Sequence, residues 1–219
     1  MTLHRICISA TGLVLAWSAA AGPAAALDCA ALLNSPVPFE LTLEREMKIG
    51  ANAPRATQGH LQVFRKGEGA TGVMFFEPGA WIRTHYLVRG FPDESFVKKD
   101  TAHITYSYTP APTVRSMQDE MPLAFHVTMK RDDGSVAGEQ DHAIRFMGHH
   151  IVELAGCTID VVKAVRLVKG TFNDKYSESE TEFWFSPQLQ TAVYLKSSVE
   201  EVVQTYTAQD ISVDFKPVE

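Results

Sequence analysis

The residues best able to move a proton or hold a metal in this 219-residue chain are its histidines. His4 lies near the start, followed by His60, His85, His103, His126, His142, His149 and His150. None forms H-E-x-x-H or H-x-H, spacings that set two imidazoles on one face. His149 and His150 are adjacent, so on a strand they point to opposite faces and cannot chelate together. His103 and His126 fall on the polar faces of alternating runs, while His85 shares a face with Trp81 and Leu87. No metal site is expected. Asp141-His142 is a lone dyad, without a G-x-S-x-G nucleophile or the β-α-β alternation that builds its elbow. Glu180 and Glu182 share a strand face and read as a solvated edge rather than an acid–base pair. Phosphate loops and dinucleotide fingerprints are absent. These patterns predict no catalytic residue and no cofactor.

The aromatic residues point elsewhere. Phe183, Trp184 and Phe185 are consecutive, so their strand is aromatic on both faces, and Phe75-Phe76 repeats this on a smaller scale. A strand apolar on both faces is buried on both sides or lines a cavity on one. Trp184 shares its face with Glu182 and Ser186. The functional expectation is that Trp81, Trp184 and Phe185 stand near the opening of a ligand cleft. The structural alternative is a core strand under a covering element.

The elements that must position these residues have period two, not 3.6. Phe39, Leu41 and Leu43 alternate with Glu40, Thr42 and Glu44; Phe125, Val127 and Met129 alternate with His126, Thr128 and Lys130. Such runs are half-buried antiparallel strands. Asp132-Asp133-Gly134 and Asn173-Asp174 mark tight turns, and Ser186-Pro187 separates two late strands. The stretch 110–122 reads as the longest loop. Helix signals are few: Asp28 caps a short turn through Leu33, and Ser197 to Gln204 has helical character that competes with a strand from Val202. The expected fold is all-β, mainly antiparallel, with at most one or two short helices. Roughly ten strands are too many to stay flat, so one large sheet curls into a barrel, a half-barrel or a β-spiral. Its concavity would hold something greasy or flat.

The N-terminus bounds the compartment. Arg5 is the only charged residue before Asp28, an apolar run from Ile6 to Trp17 follows, and Gly22-Pro23 precedes Ala24-Ala25-Ala26. That is the plan of a secretory signal peptide over 1–26, cleaved before Leu27. Its apolar core is too short to span a bilayer, and Asp28 before Cys29 fits a lipoprotein signal poorly. Residues 27–219 then form one β-rich periplasmic domain. Cys7 leaves with the leader, and Cys29 and Cys157 remain as an even pair expected to form a structural disulfide. The net charge of −6 becomes one unit more negative when Arg5 departs. That balance argues against nucleic acid or an anionic lipid surface as partner.

The segment from Gly156 to Leu195, with Glu182-Phe183-Trp184-Phe185-Ser186-Pro187 at its centre, resembles the closing hairpin of uncharacterised periplasmic β-rich proteins of Gram-negative bacteria. Some of those are envelope-integrity factors with a β-spiral fold and one long-range disulfide. More distantly, the architecture resembles lipoprotein-carrier half-barrels that shield an acyl chain. The resemblance covers about a fifth of the chain and carries over no catalytic residue. Together these features predict a non-enzymatic periplasmic protein that supports the envelope by binding a lipid, another apolar ligand or a periplasmic protein. The competing expectation is a hydrolase or isomerase in the sheet's concavity, with His85 as base. A histidine and a carboxylate within hydrogen-bond reach in the concavity would favour the enzyme.

Overall fold

The period-two runs become twelve antiparallel strands in the computed structural model. It describes residues 27–66, 69–76, 80–88, 91–97, 102–111 and 122–217, with backbone alone across most of 80–102. The strands are β1 (Phe39–Ile49), β2 (Arg55–Lys66), β3 (Gly69–Phe76), β4 (Ala80–Val88), β5 (Phe91–Val97) and β6 (Ala102–Thr109). They continue as β7 (Leu123–Arg131), β8 (Val136–Leu154), β9 (Cys157–Phe172), β10 (Lys175–Ser186), β11 (Thr191–Val199) and β12 (Val202–Ser212). One helix, α1 (Cys29–Asn34), precedes them. Asp28 caps it by accepting from the Ala31 amide at 3.0 Å. The expected leader, residues 1–26, lies outside the described residues.

Each strand pairs with the next in the chain, and β1 also pairs with β12, so the order closes on itself as a barrel. Closure of this kind leaves neither β1 nor β12 as an open edge strand. Asn173 and Asp174 take φ of 49° and 61° in the turn joining β9 to β10, the left-handed conformation a tight hairpin needs. Gly134, at φ 80°, does the same between β7 and β8.

Three expectations change. The sequence reads His142 to Met147 and His150 to Leu154 as two separate strands; they are one 19-residue strand, β8, interrupted by a bulge between Phe146 and Gly148. Phe91–Val97 adds a strand the sequence did not mark, because Pro92, Asp93 and Glu94 hide its alternation. The helical character of Ser197 to Gln204 gives way to β11, a turn with Glu200 at φ 51°, and β12. Pairing of Ser198 with Val203 and Val199 with Val202 is what that turn permits. Most of the 110–122 loop, from 112 to 121, lies outside the described residues.

The long β8–β9 hairpin outruns its neighbours. β7 reaches only Ile144 of β8, and β10 reaches only Val162 of β9. The hairpin end carries Leu154, Cys157, Ile159 and Val161, all buried in a cluster with Phe39, Leu41, Leu61, Val63 and Leu32 of α1. Cys157 bonds to Cys29 across 128 residues, with Cα atoms 5.5 Å apart. The expected disulfide is therefore present, and it ties helix and hairpin over one end of the barrel. Arg65 closes the same end. Its guanidinium donates to the carbonyls of Gln188, Leu32 and Val37 at 2.8, 2.7 and 3.0 Å. A second apolar cluster gathers Ile104, Phe125, Val127, Met129, Ile144 and Ala164. Outside the barrel the C-terminal segment crosses β1 and β2. There the carbonyl of Lys216 accepts from the fully buried Gln62 at 2.9 Å, and Phe215 meets Phe64 edge-on.

Candidate functional site: the inward wall of β8 to β12 and β1

Register places three rows of side chains side by side on the inward face. The first runs Phe146, Ala164, Phe183, Leu195, Tyr206 and Arg45 across β8, β9, β10, β11, β12 and β1. The next runs Ile144, Arg166, Thr181, Ser197, Gln204 and Met47. The third runs His142, Val168, Ser179, Val199, Val202 and Ile49. No carboxylate occupies these rows.

The first row is an apolar lane. Phe146 and Phe183 pack on the second cluster, and Leu195 lies between Phe183 and Tyr206. Yet Phe146, Phe183, Leu195 and Tyr206 are only half-buried. Inward side chains that keep solvent-reachable surface mean space that water can enter. The disulfide end differs: there Phe39, Leu41, Ile159 and Leu189 have no exposed surface.

The second row is polar at its centre. Thr181 donates to the Ser197 hydroxyl at 3.2 Å. The Tyr206 hydroxyl, whose titration burial pushes up, donates to Gln204 Oε1 at 2.8 Å. Arg45 reaches the same oxygen at 3.5 Å and holds its guanidinium 5.8 Å from the Tyr206 ring centroid. In the third row His142 stacks near Phe125 and lies 3.1 Å from Gln140 Oε1. Burial, and then the charge of Arg166, lowers its pKa from 6.5 to about 4. It is therefore neutral at pH 7.

The residues singled out by sequence are distributed differently. Trp184 lies on the opposite face from Phe183 and Phe185. It pairs in register with Lys163 and Tyr194. Its indole N–H donates to Glu182 at 3.0 Å, Lys163 Nζ stands 4.0 Å over its ring, and Tyr194 lies 4.7 Å away. His150 stacks parallel at 6.4 Å and lines a groove of about 580 Å³, while Trp184 packs against the buried cluster at the disulfide end. That groove is lined by His149, His150, Ile151, Asp160, Pro187 and Gln188. Phe185 is buried on the other face, so the two aromatics do not share one opening. Trp81 pairs in register with Phe75, and its side chain lies outside the described residues, as does that of His85.

Asp141 and His142 do not form the dyad their adjacency suggested, because neighbours on a strand face opposite ways. Asp141 instead meets His126 across the β7–β8 pair at 2.9 Å. His60 meets Glu40 at 3.0 Å, and His103 meets Asp132. These three histidine–carboxylate pairs stand apart from the inward rows. Among the described residues no group of three histidine, cysteine or acidic side chains is placed to hold a metal. Sequence reasoning missed Arg45 and Arg166. The signal for Arg45 was present: it continues the alternation Phe39, Leu41, Leu43 and so faces inward with them.

Fold and wall together define an all-β barrel with one dry, stapled end and one partly open interior. No protein-family model matches the sequence, and no curated protein matches it. Solved structures give distant likenesses. The hypothetical lipoprotein YmcC of Escherichia coli K12 aligns over 81% of this chain and 87% of its own, with 12% identity and a TM-score of 0.42. A Bacteroides fragilis protein with a YmcC-like fold aligns over 80% and 95%, with 8% identity and a TM-score of 0.39. A Vibrio parahaemolyticus domain, assigned by name only to outer-membrane lipoprotein sorting, aligns over 84% and 88%, with 12% identity and a TM-score of 0.36. These likenesses concern the course of the sheet.

Proposed function

We propose that this is a non-enzymatic periplasmic protein that supports the cell envelope by holding an apolar ligand against the inward wall of its barrel. The observation that carries this reading is the apolar lane of Phe146, Phe183, Leu195 and Tyr206, which faces inward but is not packed shut. Pockets that bind small molecules are mostly apolar with a few placed polar groups, and the hydroxyl and amide groups of the neighbouring row fit that pattern. The disulfide suits an oxidising compartment. The enzyme reading needs a nucleophile or base with its orienting carboxylate in the concavity. The one histidine in the three rows, His142, has Gln140 and Phe125 as its neighbours.

Native mass spectrometry of the protein purified from its own compartment, with extraction of co-purifying lipid, tests the proposal. A ligand mass that disappears in Leu195→Glu, with far-UV circular dichroism unchanged, is the expected result. A wild-type protein that carries nothing, and binds no long-chain compound added to it, would overturn the proposal.

A further inference from the structure

The Trp184 of the aromatic hairpin does not serve the inward wall. It is fixed on the other face, with its N–H on Glu182, Lys163 over its ring and Tyr194 beside it. What it braces is His150, whose ring lies parallel to it and lines the groove of about 580 Å³. That size falls within the ~300–1,000 Å³ of ordinary ligand clefts. The turn after β10 supplies Pro187 and Gln188 to the same groove. Ser186 and Leu189 of that turn are buried, the Leu189 amide donates to the Ser186 hydroxyl at 3.3 Å, and Arg65 donates to the Gln188 carbonyl at 2.8 Å. The braced ring and the anchored turn are therefore in place before any ligand arrives, which lowers the ordering cost of binding.

The lining mixes donors and acceptors with apolar surface. Asp160 is exposed and its carboxylate only accepts. Gln188 carries an amide whose Oε1 is buried without a partner among the described residues. Turning that side chain into the groove exchanges an unmet acceptor for a met one when a donor is bound there. Beside these groups stand the His150 ring, Pro187 and Ile151, the last 66% exposed. Among the described residues no lysine or arginine lines the groove.

We propose that this groove is a second binding site, for an uncharged oligosaccharide. A hydroxyl both donates and accepts, so a sugar can serve Asp160, both ends of the Gln188 amide and the His150 imidazole together. The C–H face of a pyranose ring covers Ile151, Pro187 and His150 while its hydroxyls stay hydrogen-bonded. An ammonium only donates and leaves the amide N–H groups unserved. An anionic sugar meets the Asp160 carboxylate at close range with no lining cation to offset it. The groove is separate from the three inward rows, so the proposal stands whether or not that wall holds a ligand.

Calorimetric titration and saturation-transfer NMR of the protein purified from its own compartment test it with cellotriose, maltotriose and triacetylchitotriose. Spermidine and trigalacturonate are the cationic and anionic comparisons. Wild type should bind at least one neutral trisaccharide about tenfold or more tightly than either charged compound. Gln188→Leu should weaken that sugar about tenfold, the scale of a hydrogen bond to a buried group. Its melting temperature should stay level or rise, since an unmet buried acceptor is removed. Ile151→Asp, at an exposed position, should weaken the same sugar severalfold by removing apolar face, which keeps the test open where Gln188→Leu impairs folding. Binding of none of the three sugars, a preference for spermidine or trigalacturonate, or unchanged sugar affinity in the folded variants would overturn the proposal.

Discussion

Breaking the Cys29–Cys157 link should cost the protein most of its stability margin. The bond closes a loop of 128 residues. In the chain-entropy model, a cross-link of that span removes denatured-state freedom equivalent to about 5 kcal/mol. Most domains have only ~5–15 kcal/mol in total. Residual structure in the unfolded chain lowers the expected loss to about 3–5 kcal/mol. A local effect adds to this. The helix α1 has six residues, too few to persist alone, and it is held by the Asp28 cap, by buried Leu32 and by the disulfide. The double variant Cys29→Ser/Cys157→Ala should therefore unfold at much lower urea concentration, and the amides of 29–34 should exchange fastest in the folded state. A loss below about 1 kcal/mol, with an unchanged urea slope, would refute the reasoning. It would mean that the hairpin end packs on Phe39 and Leu41 well enough without its tie.

Substitutions at two further residues test the barrel's polar groups. The folded-state pKa of His142 is about 4, below its ordinary 6.5, so between those values the unfolded chain binds the extra proton and stability falls as pH falls. The full shift corresponds to about 3 kcal/mol, and solvent screening of a half-buried ring reduces this to ~1–2 kcal/mol. Urea melts at pH 7 and pH 4.5 should show that difference shrinking in His142→Gln; an unchanged pH dependence would remove His142 as its source. Arg65, whose pKa burial lowers, serves three backbone carbonyls at once. Arg65→Met should cost about 2–4 kcal/mol by leaving them without their donor. Arg65→Lys should not restore it, because one ammonium cannot copy the fork; full recovery with lysine would show that charge alone matters there.

The fold was largely legible because strand alternation is a local signal. Each of Phe39, Leu41 and Leu43, or Phe125, Val127 and Met129, declares its inward face within a few residues. The disulfide was legible because only two cysteines follow the expected leader. Closure was not, since the pairing of Leu41 with Ile211 joins residues far apart, and nothing in either strand names the other. The site was half-legible. Trp184 drew attention as a large aromatic, but whether its face is inward depends on the register of β9, β10 and β11 together. Its neighbours Lys163 and Tyr194 come from strands whose alignment only the fold fixes. Arg45 was passed over for a different reason: within Glu44-Arg45-Glu46 it reads as one charge in a solvated run. Only the alternation carried forward from Phe39 turns it inward.

That inward arginine bears on how the barrel is used. A cation in a dry core needs full hydrogen bonding and a compensating charge, and natural cores seldom tolerate one. At the disulfide end that demand is met by carbonyls, which is why Arg65 can be set among buried leucines. Arg45 lies two positions beyond Leu43, where the lining changes from fully buried to half-exposed. The change from dry to wet thus falls within one strand. A ligand chain entering the wet half would displace water from Phe183 and Leu195, at a gain of about 25 cal/mol per Å² of apolar surface covered. The dry end would stop it from going further. Because Cys29–Cys157 fixes that end, loosening the disulfide should move the boundary as well as lower stability. The double variant should then bind long-chain ligands more weakly than wild type under conditions where both are folded. Undiminished affinity in the folded variant would show that the wall is shaped by the β8 to β12 register alone.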